Sequence, residues 1–369
     1  MTNGNIQTIR TEIERFGYDD SNAINKNILL DHGVDSLNIL VDYMLQDLPI
    51  ETIEKFERLF KDLLKGIFSG TYSSDTAREV VLAQKRLGFL LKYKSYAIKA
   101  SSPLGYSIFL QEQGEGFSFQ QHITHKTEVF HILEVHEGGY VFLCDYVDWQ
   151  KHYDEKSFAQ WLAGEPDERY EQFRIYPKPG DVFAINKLGF VHTVIGCVLE
   201  EYATVSIDMV DRLFDQNVGK EIPSFFSRGY TQKMLKTIKF PGSSRHVNMD
   251  AAPYQKSITE IKPISIPGGI KVPLSEGTIF ASRYAFEPAK AGEQMCDDRC
   301  ASSVYVTRGK GQLIVGNKEE VSRLTPPSIP VIAGDLVLIP NGTYYAFVCE
   351  GSIPLELSEQ KIPFDVAFV

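Results

Sequence analysis

Gly116-Phe117-Ser118-Phe119-Gln120-Gln121-His122-Ile123-Thr124-His125-Lys126-Thr127-Glu128 is the stretch on which the fold reading turns. Alternation of side chains along a strand places Gln120, His122 and Thr124 on one face, with Glu128 following after a bend. A small β-barrel that holds a metal has to project imidazoles and carboxylates inward from neighbouring strands. Its ligands therefore arrive as alternate residues plus one from a distant strand. The distant one is supplied by Val191-His192-Thr193, reached through a turn after Pro179-Gly180-Asp181-Val182-Phe183-Ala184-Ile185.

Working outward, short strand-like runs surround this stretch: Tyr106 to Leu110, Phe117 to Gln121, Val129 to Leu133, Tyr140 to Leu143 and Val198 to Ser206. Tyr153 to Tyr170 interrupts them with helical, acidic character and is expected to cover the barrel mouth. Asp215 to Ser257, rich in Pro, Gly, Ser and Lys, reads as a linker. A second β region follows, with runs at Ile279 to Ala285, Ser303 to Thr307, Gln312 to Val315, Asp335 to Ile339 and Ala346 to Val348. Upstream, Leu37, Leu40, Met44 and Leu48, then Ile53, Phe56, Phe60, Leu63 and Ile67, recur at helical steps, and Ala77 to Lys92 resumes the pattern. The expected architecture is mainly β: residues 1–100 as a helical N-terminal domain, 101–217 as a metal-binding barrel, 218–274 as a connecting segment and 275–369 as a second barrel. A chain starting near Ser101 is then expected to fold and keep its metal.

The paired glycine, histidine and glutamate spacings resemble the two motifs of cupins, which are jelly-roll barrels. The whole stretch is similar to the type I mannose-6-phosphate isomerases. Ser118-Phe119-Gln120-Gln121-His122 resembles their Ser-Ile-Gln-x-His run, and Lys126-Thr127-Glu128-Val129-Phe130-His131-Ile132-Leu133 their Lys-Thr-Glu-Met-Trp-Tyr-Ile-Leu. The acidic helical insert, the Gly180 to Phe183 strand, Val191-His192 and the Asp-x-x-x-Arg-x-x-Asp signature at Asp208, Arg212 and Asp215 follow in the family's order. Ala333 to Gly342 is similar to its metal-free second cupin. The resemblance spans roughly residues 104 to 217 and 275 to 355. Two departures stand out: only Ile123-Thr124-His125 separates His122 from the Lys-Thr-Glu run, and Asn186-Lys187-Leu188-Gly189 replaces a Pro-Ala-Gly turn.

What the resemblance implies is a divergent bicupin with Gln120, His122, Glu128 and His192 as ligands of one divalent metal, zinc first, with iron or manganese as alternatives. His125 is either an exposed loop residue or a ligand in place of Gln120. Arg212 and Lys126 become the charged catalytic groups, Arg212 otherwise being an ion-pair partner of Asp208 or Asp215. The implied activity is aldose–ketose isomerisation of a sugar or sugar phosphate. The rivals are an Fe(II)-dependent oxygenase, since two His and a carboxylate also suit iron, and a sugar-binding cupin without turnover.

Other residues read more simply. His131 and His136 lie on the opposite phase or past the strand and are expected to be structural. Cys296 and Cys300 with Asp297 and Asp298 lack a His or second Cys pair and read as a solvated loop. Tyr345 stands where the second barrel's spacing would place a histidine, so that barrel is expected to be metal-free. Gly33-Val34-Asp35-Ser36-Leu37 matches the acyl-carrier serine motif, and an N-cap before an amphipathic helix gives the same letters.

Composition narrows the partners. The 369 residues carry a net charge of −10 and a pI near 5.4, with 43% hydrophobic residues. No basic face is available to neutralise phosphates along a duplex, so nucleic acid is not expected and a small molecule is. Without an apolar run of membrane-spanning length or a signal peptide, the expectation is a cytoplasmic chain with no membrane partner. Five cysteines are too few and odd in number for a disulfide framework, which predicts free thiols. A homodimer is compatible with this reading.

Overall fold

The computed structural model describes residues 75, 77–78, 91–92, 97–101, 104–122, 127–185, 190–204, 210–214, 254–257, 261–276, 279–324 and 328–363. The helical pattern of residues 37–67 and the Gly33 to Leu37 motif lie outside these. Of the N-terminal stretch, Asp75, Ala77 and Arg78 are helical, whereas Leu91–Lys92 (β1) and Ala97–Ser101 (β2) are strands. The sheet thus begins ahead of the expected boundary near residue 101, because β2 pairs antiparallel with Tyr106–Leu110 (β3).

The first barrel continues with Phe119–His122 (β4), Glu128–Asp145 (β5), Arg174–Ile175 (β6), Asp181–Ile185 (β7), Phe190–Ala203 (β8), Val210–Phe214 (β9) and Tyr254–Ser257 (β10). Its sheet runs β1-β2-β3-β8-β5-β7-β10, with β4 joining β8 and β9, and β6 joining β5. Strand β10 falls inside the stretch expected to be linker; it pairs with β7 and extends the sheet. Closure of the barrel comes from the long β5–β8 hairpin. Glu128 pairs with Ala203, eleven residues from His192 on β8, which would be about 36 Å away on a straight strand. Yet Glu128 and His192 touch, so the hairpin folds back on itself. The register shift between Val135 and Tyr140 marks the fold, and Gly139 meets Gly196 there. A Cβ on Gly139 would sit 2.6 Å from the Gly196 carbonyl, and Gly196 has φ +65°, so both positions require glycine.

Phe109, Phe117, Phe130, Ile132, Val141, Phe183, Val194 and Leu199 form the barrel interior. On the outer face sit three helices, Tyr146–His152 (α1), Glu155–Leu162 (α2) and Glu168–Glu171 (α3), each opened by an aspartate N-cap: Asp145, Asp154 and Asp167. Their Trp149, Phe158, Trp161 and Tyr170 pack on Phe119, Tyr140, Phe142 and Val191. The insert therefore covers the back of the sheet and not the barrel mouth, since its apolar stripe matches the outward phase of β4, β5 and β8.

The second barrel pairs a six-stranded sheet with a three-stranded one. The first comprises Ile264–Ile266 (β11), Gly269–Glu276 (β12), Phe280–Phe286 (β13), Cys300–Arg308 (β14), Leu336–Ile339 (β17) and Leu355–Pro363 (β19), in the order β11-β12-β13-β19-β14-β17. The second is Ser328–Ile332 (β16), Lys310–Gly316 (β15) and Tyr344–Glu350 (β18), ordered β16-β15-β18, with helix Lys318–Arg323 (α4) beside it. Strand β11 and most of β12 also fall in the expected connecting segment, and extend the sheet at β13. Val304, Val306 and Leu357 from one sheet meet Leu313, Val315 and Phe347 from the other, and Ala77 joins this core. Between the barrels, Tyr106, Val129, Val182 and Tyr202 pack on Leu274, Ala281, Tyr305 and Leu336. No helix among the described residues is long and apolar enough to cross a membrane.

Candidate metal centre

Strand β4 is held by its outward residue. Phe119, fully buried, makes edge contacts with Phe142 at 5.1 Å and Phe158 at 4.8 Å between ring centroids. Gln120, next along, has its Cα in register with His192 on β8 and with Arg212 on β9. Ahead of the strand, Gly116 bridges to Ile195, and a Cβ there would lie 2.4 Å from the Val194 carbonyl. This close approach is the physical reason for the glycine that opens the motif. Thr193 Oγ1 donates to the Phe117 carbonyl at 2.9 Å and so ties β8 to the same run, while Ser118 Oγ donates to Gln120 Oε1 at 3.2 Å.

Glu128 enters from the start of β5. Thr127 and Thr204 exchange two hydrogen bonds, Thr127 N–H to Thr204 Oγ1 at 3.0 Å and Thr204 N–H to the Thr127 carbonyl at 2.9 Å. These fix the strand one residue before the carboxylate. His192 Nε2 then lies 3.1 Å from Glu128 Oε2, with both side chains buried. At the other side of the ring, Nδ1 is 3.0 Å from the Phe190 carbonyl. A carbonyl only accepts, so Nδ1 carries the proton, and Nε2 of a neutral ring presents a lone pair to the carboxylate. Two acceptors at that distance need a proton or a cation between them. A backbone carbonyl orienting the far nitrogen is the usual support of a metal-binding imidazole. The donor set of imidazole nitrogen and carboxylate oxygen thus fits a divalent cation.

Among the described residues no group of three His, Cys, Asp or Glu side chains gathers at metal-binding distance. The structure brings together Glu128 and His192, with Gln120 on the adjoining strand. Of His122 only the backbone is described, in register with Val210, and of Arg212 likewise, opposite Gln120. His125, Lys126, Asp208 and Asp215 lie outside the described residues.

His131 is on the opposite face of β5 from Glu128, where its Nδ1 meets Glu200 Oε2 at 2.8 Å. Glu200 also accepts from Tyr106 at 2.9 Å, Tyr202 at 3.0 Å and, from the second barrel, Ser358. Burial alone would raise this carboxyl. The hydrogen bond and charge of His131, with Arg283 and Ser358, outweigh that and hold it at about 2. The Glu200 group was not legible as a site: Glu200 and Glu201 stand side by side between Leu199 and Tyr202, and nothing in the letters says which one turns inward. His136 lies 3.7 Å from Glu134 on the surface.

In the second barrel, Tyr345 donates its hydroxyl to Glu359, which also accepts from Tyr284 at 2.8 Å. All five cysteines are free thiols. Cys300 is buried at the start of β14 instead of lying in a solvated loop, and burial, followed by the charge of Asp297, pushes it up to about 12.

The strand pairings define the class by its architecture: a mainly β chain with two jelly-roll barrels. Neither a family model nor a curated protein matches the chain. Solved structures similar to it include the 11S globulin from Wrightia tinctoria, at 16% identity and TM-score 0.47 over 74% of this chain and 81% of that one. The oxalate decarboxylase of Lactobacillus farciminis gives 13% identity and TM-score 0.48 over 75% and 84%. That of Bacillus subtilis gives 13% and 0.47 over 74% and 73%. The two-barrel architecture itself rests on the pairings described above.

Proposed function

We propose that the first barrel holds one divalent cation on Glu128 and His192, completed by His122 and by Gln120 or His125, and that the chain is a metal-dependent enzyme. The approach of His192 Nε2 to Glu128 Oε2 carries this reading. The finer proposal is an aldose–ketose isomerase-like activity on a sugar or sugar phosphate, with zinc as the metal. It is supported by the Ser-Phe-Gln-Gln-His and Lys-Thr-Glu runs, and by the register of Arg212 against Gln120.

When bound, the cation supplies Lewis-acid polarisation of a carbonyl and a neighbouring hydroxyl. Glu128 and His192 bind it, with the Nδ1 bond to Phe190 fixing the ring. Gln120 is oriented by Ser118. Arg212, whose backbone pairs with Gln120, would hold negative charge on the substrate, and Lys126 would be the second charged group.

Metal analysis of the purified chain, followed by isomer analysis with sugar phosphates, tests the proposal. One metal per chain and conversion of an aldose to its ketose are expected. Oxygen uptake that depends on iron, without isomerisation, would instead make it an oxygenase. Ligand-induced stabilisation with no product under any metal would leave a binding cupin.

A further inference from the structure

Among the strands of the second barrel that face the first, β19 makes side-chain hydrogen bonds close to the candidate metal centre. Strand β19 turns Leu355 and Leu357 into its own core, while its alternate residues Ser358 and Gln360 face the other barrel. Gln360 is completely buried, and its amide Nε2 donates to two backbone carbonyls of the first barrel, Leu104 at 3.0 Å and Ala203 at 2.6 Å. Ala203 is the cross-strand partner of Glu128. Ser358 donates to Glu200, whose own cross-strand partner His131 lies three residues beyond Glu128 on β5.

We infer that Gln360 and Ser358 are positioning residues for Glu128, so that the second barrel acts as a brace for the metal-binding carboxylate of the first. The inference rests on the metal reading of Glu128 and His192. The physical reason is the location of Glu128 at the first residue of β5, where it has strand partners in Ala203 and Ile185 and follows Thr127, which is bonded to Thr204. A strand terminus is the part of a ladder that opens most readily. Thr204 pins it from one side, and Gln360 pins the Ala203 carbonyl next to it from the other. Both links are hydrogen bonds with strict geometry, unlike the apolar contacts elsewhere in the interface. Loss of a supporting partner of a metal ligand commonly weakens metal binding about 10- to 100-fold.

The test compares Gln360→Met and Ser358→Ala with Leu336→Ala in the full chain. Leu336 is buried in the same interface and makes only apolar contacts there, so it reports what loosening alone does. Two readouts apply: the dissociation constant for Zn(II) or Mn(II) by competition titration, and the imidazole nitrogen shifts of His192 by NMR in metal-stripped protein. Gln360→Met should weaken metal binding about tenfold or more and move the His192 signals, whereas Leu336→Ala should lower Tm with both readouts unchanged. If Gln360→Met folds poorly, Ser358→Ala, the smaller change, carries the comparison. Equal metal affinity and unshifted His192 signals in both polar variants would overturn the brace while the metal site stood. A wild-type chain that binds no metal would overturn the metal reading instead, and the His192 signals would still report on Glu128.

Discussion

His131 Nδ1 lies 2.8 Å from Glu200 Oε2, across the same two strands that carry Glu128 and His192 but on their opposite face. A buried carboxylate with an imidazole, two phenols and a serine around it is costly to disrupt, because any partner removed leaves the others desolvated. Glu200→Gln should destabilise the chain by about 3 kcal/mol at neutral pH. The carboxyl is depressed to about 2 in the folded chain, against about 4.3 in an unfolded one. Its contribution is therefore fully present above the unfolded value and disappears as pH falls through the folded one. Urea unfolding of wild type and variant should show a constant gap near neutrality that narrows between about pH 4.3 and about pH 2. A gap independent of pH down to that limit would mean that Glu200 is not the charged centre of the group.

Tyr345 gives a second prediction. It occupies the position at which the second barrel would need an imidazole, and its hydroxyl is committed to Glu359. Tyr345→Phe leaves Tyr284 as donor and removes one hydrogen bond from a buried carboxylate, a loss of about 1–3 kcal/mol. Metal content should remain at one per chain in both proteins. Two metals in wild type, falling to one in the variant, would place a cation at Tyr345 after all.

The described residues ahead of Ser101 make contacts with the second barrel. Ala77 is 1% exposed within the second barrel's core, and Arg78 Nη1 donates to the Val315 carbonyl at 3.0 Å. A chain starting at Ser101 loses these contacts together with β1 and most of β2. Compared with a chain starting at Asp75, it should melt about 5 °C lower or more, a shift that corresponds to roughly 2 kcal/mol. Its metal should be retained, since Glu128 and His192 lie beyond the cut. Equal melting temperatures would make the N-terminal contacts dispensable.

Much of this fold is readable from period-two runs, because a buried strand face must alternate with its neighbours. That logic finds β3, β5, β7 and β14, and the phase that separates His131 from Glu128. It does not find β10, β11 and β12: β10 and β11 are only four and three residues long, β12 is interrupted by Pro273, and β10 is decided by pairing with the distant β7. The helical insert was legible from its residues, and its docking on the outer face was not, since that depends on which side of Phe119 and Phe142 points outward. Within the site, Glu128 and His192 could be named from their motifs. Their contact could not, because it depends on how the β5–β8 hairpin bends at Gly139 and Gly196. Gln360 gave no signal at all: its role comes from backbone carbonyls, which every residue has.

The metal site itself is tested by removing its ligands one at a time. Glu128 and His192 come from opposite ends of the β5–β8 hairpin and meet at 3.1 Å, so each supplies a donor the other cannot replace. His192→Ala leaves a shell that water must complete, and Glu128→Gln removes the negative charge that offsets the cation. Each should lower metal occupancy sharply, about tenfold or more in affinity. Folding should survive, since Phe130, Ile132, Val194 and Leu199 form an apolar interior that needs no metal to assemble. Thermal stability should then fall only by the lost binding linkage, and wild type stripped of metal should melt with the His192→Ala variant. Arg212→Lys supplies the contrast: it keeps the charge but loses the planar fork, so metal content should match wild type while turnover or substrate affinity drops. Full metal content in His192→Ala would refute the ligand assignment, and the centre would have to be rebuilt around His122 and His125.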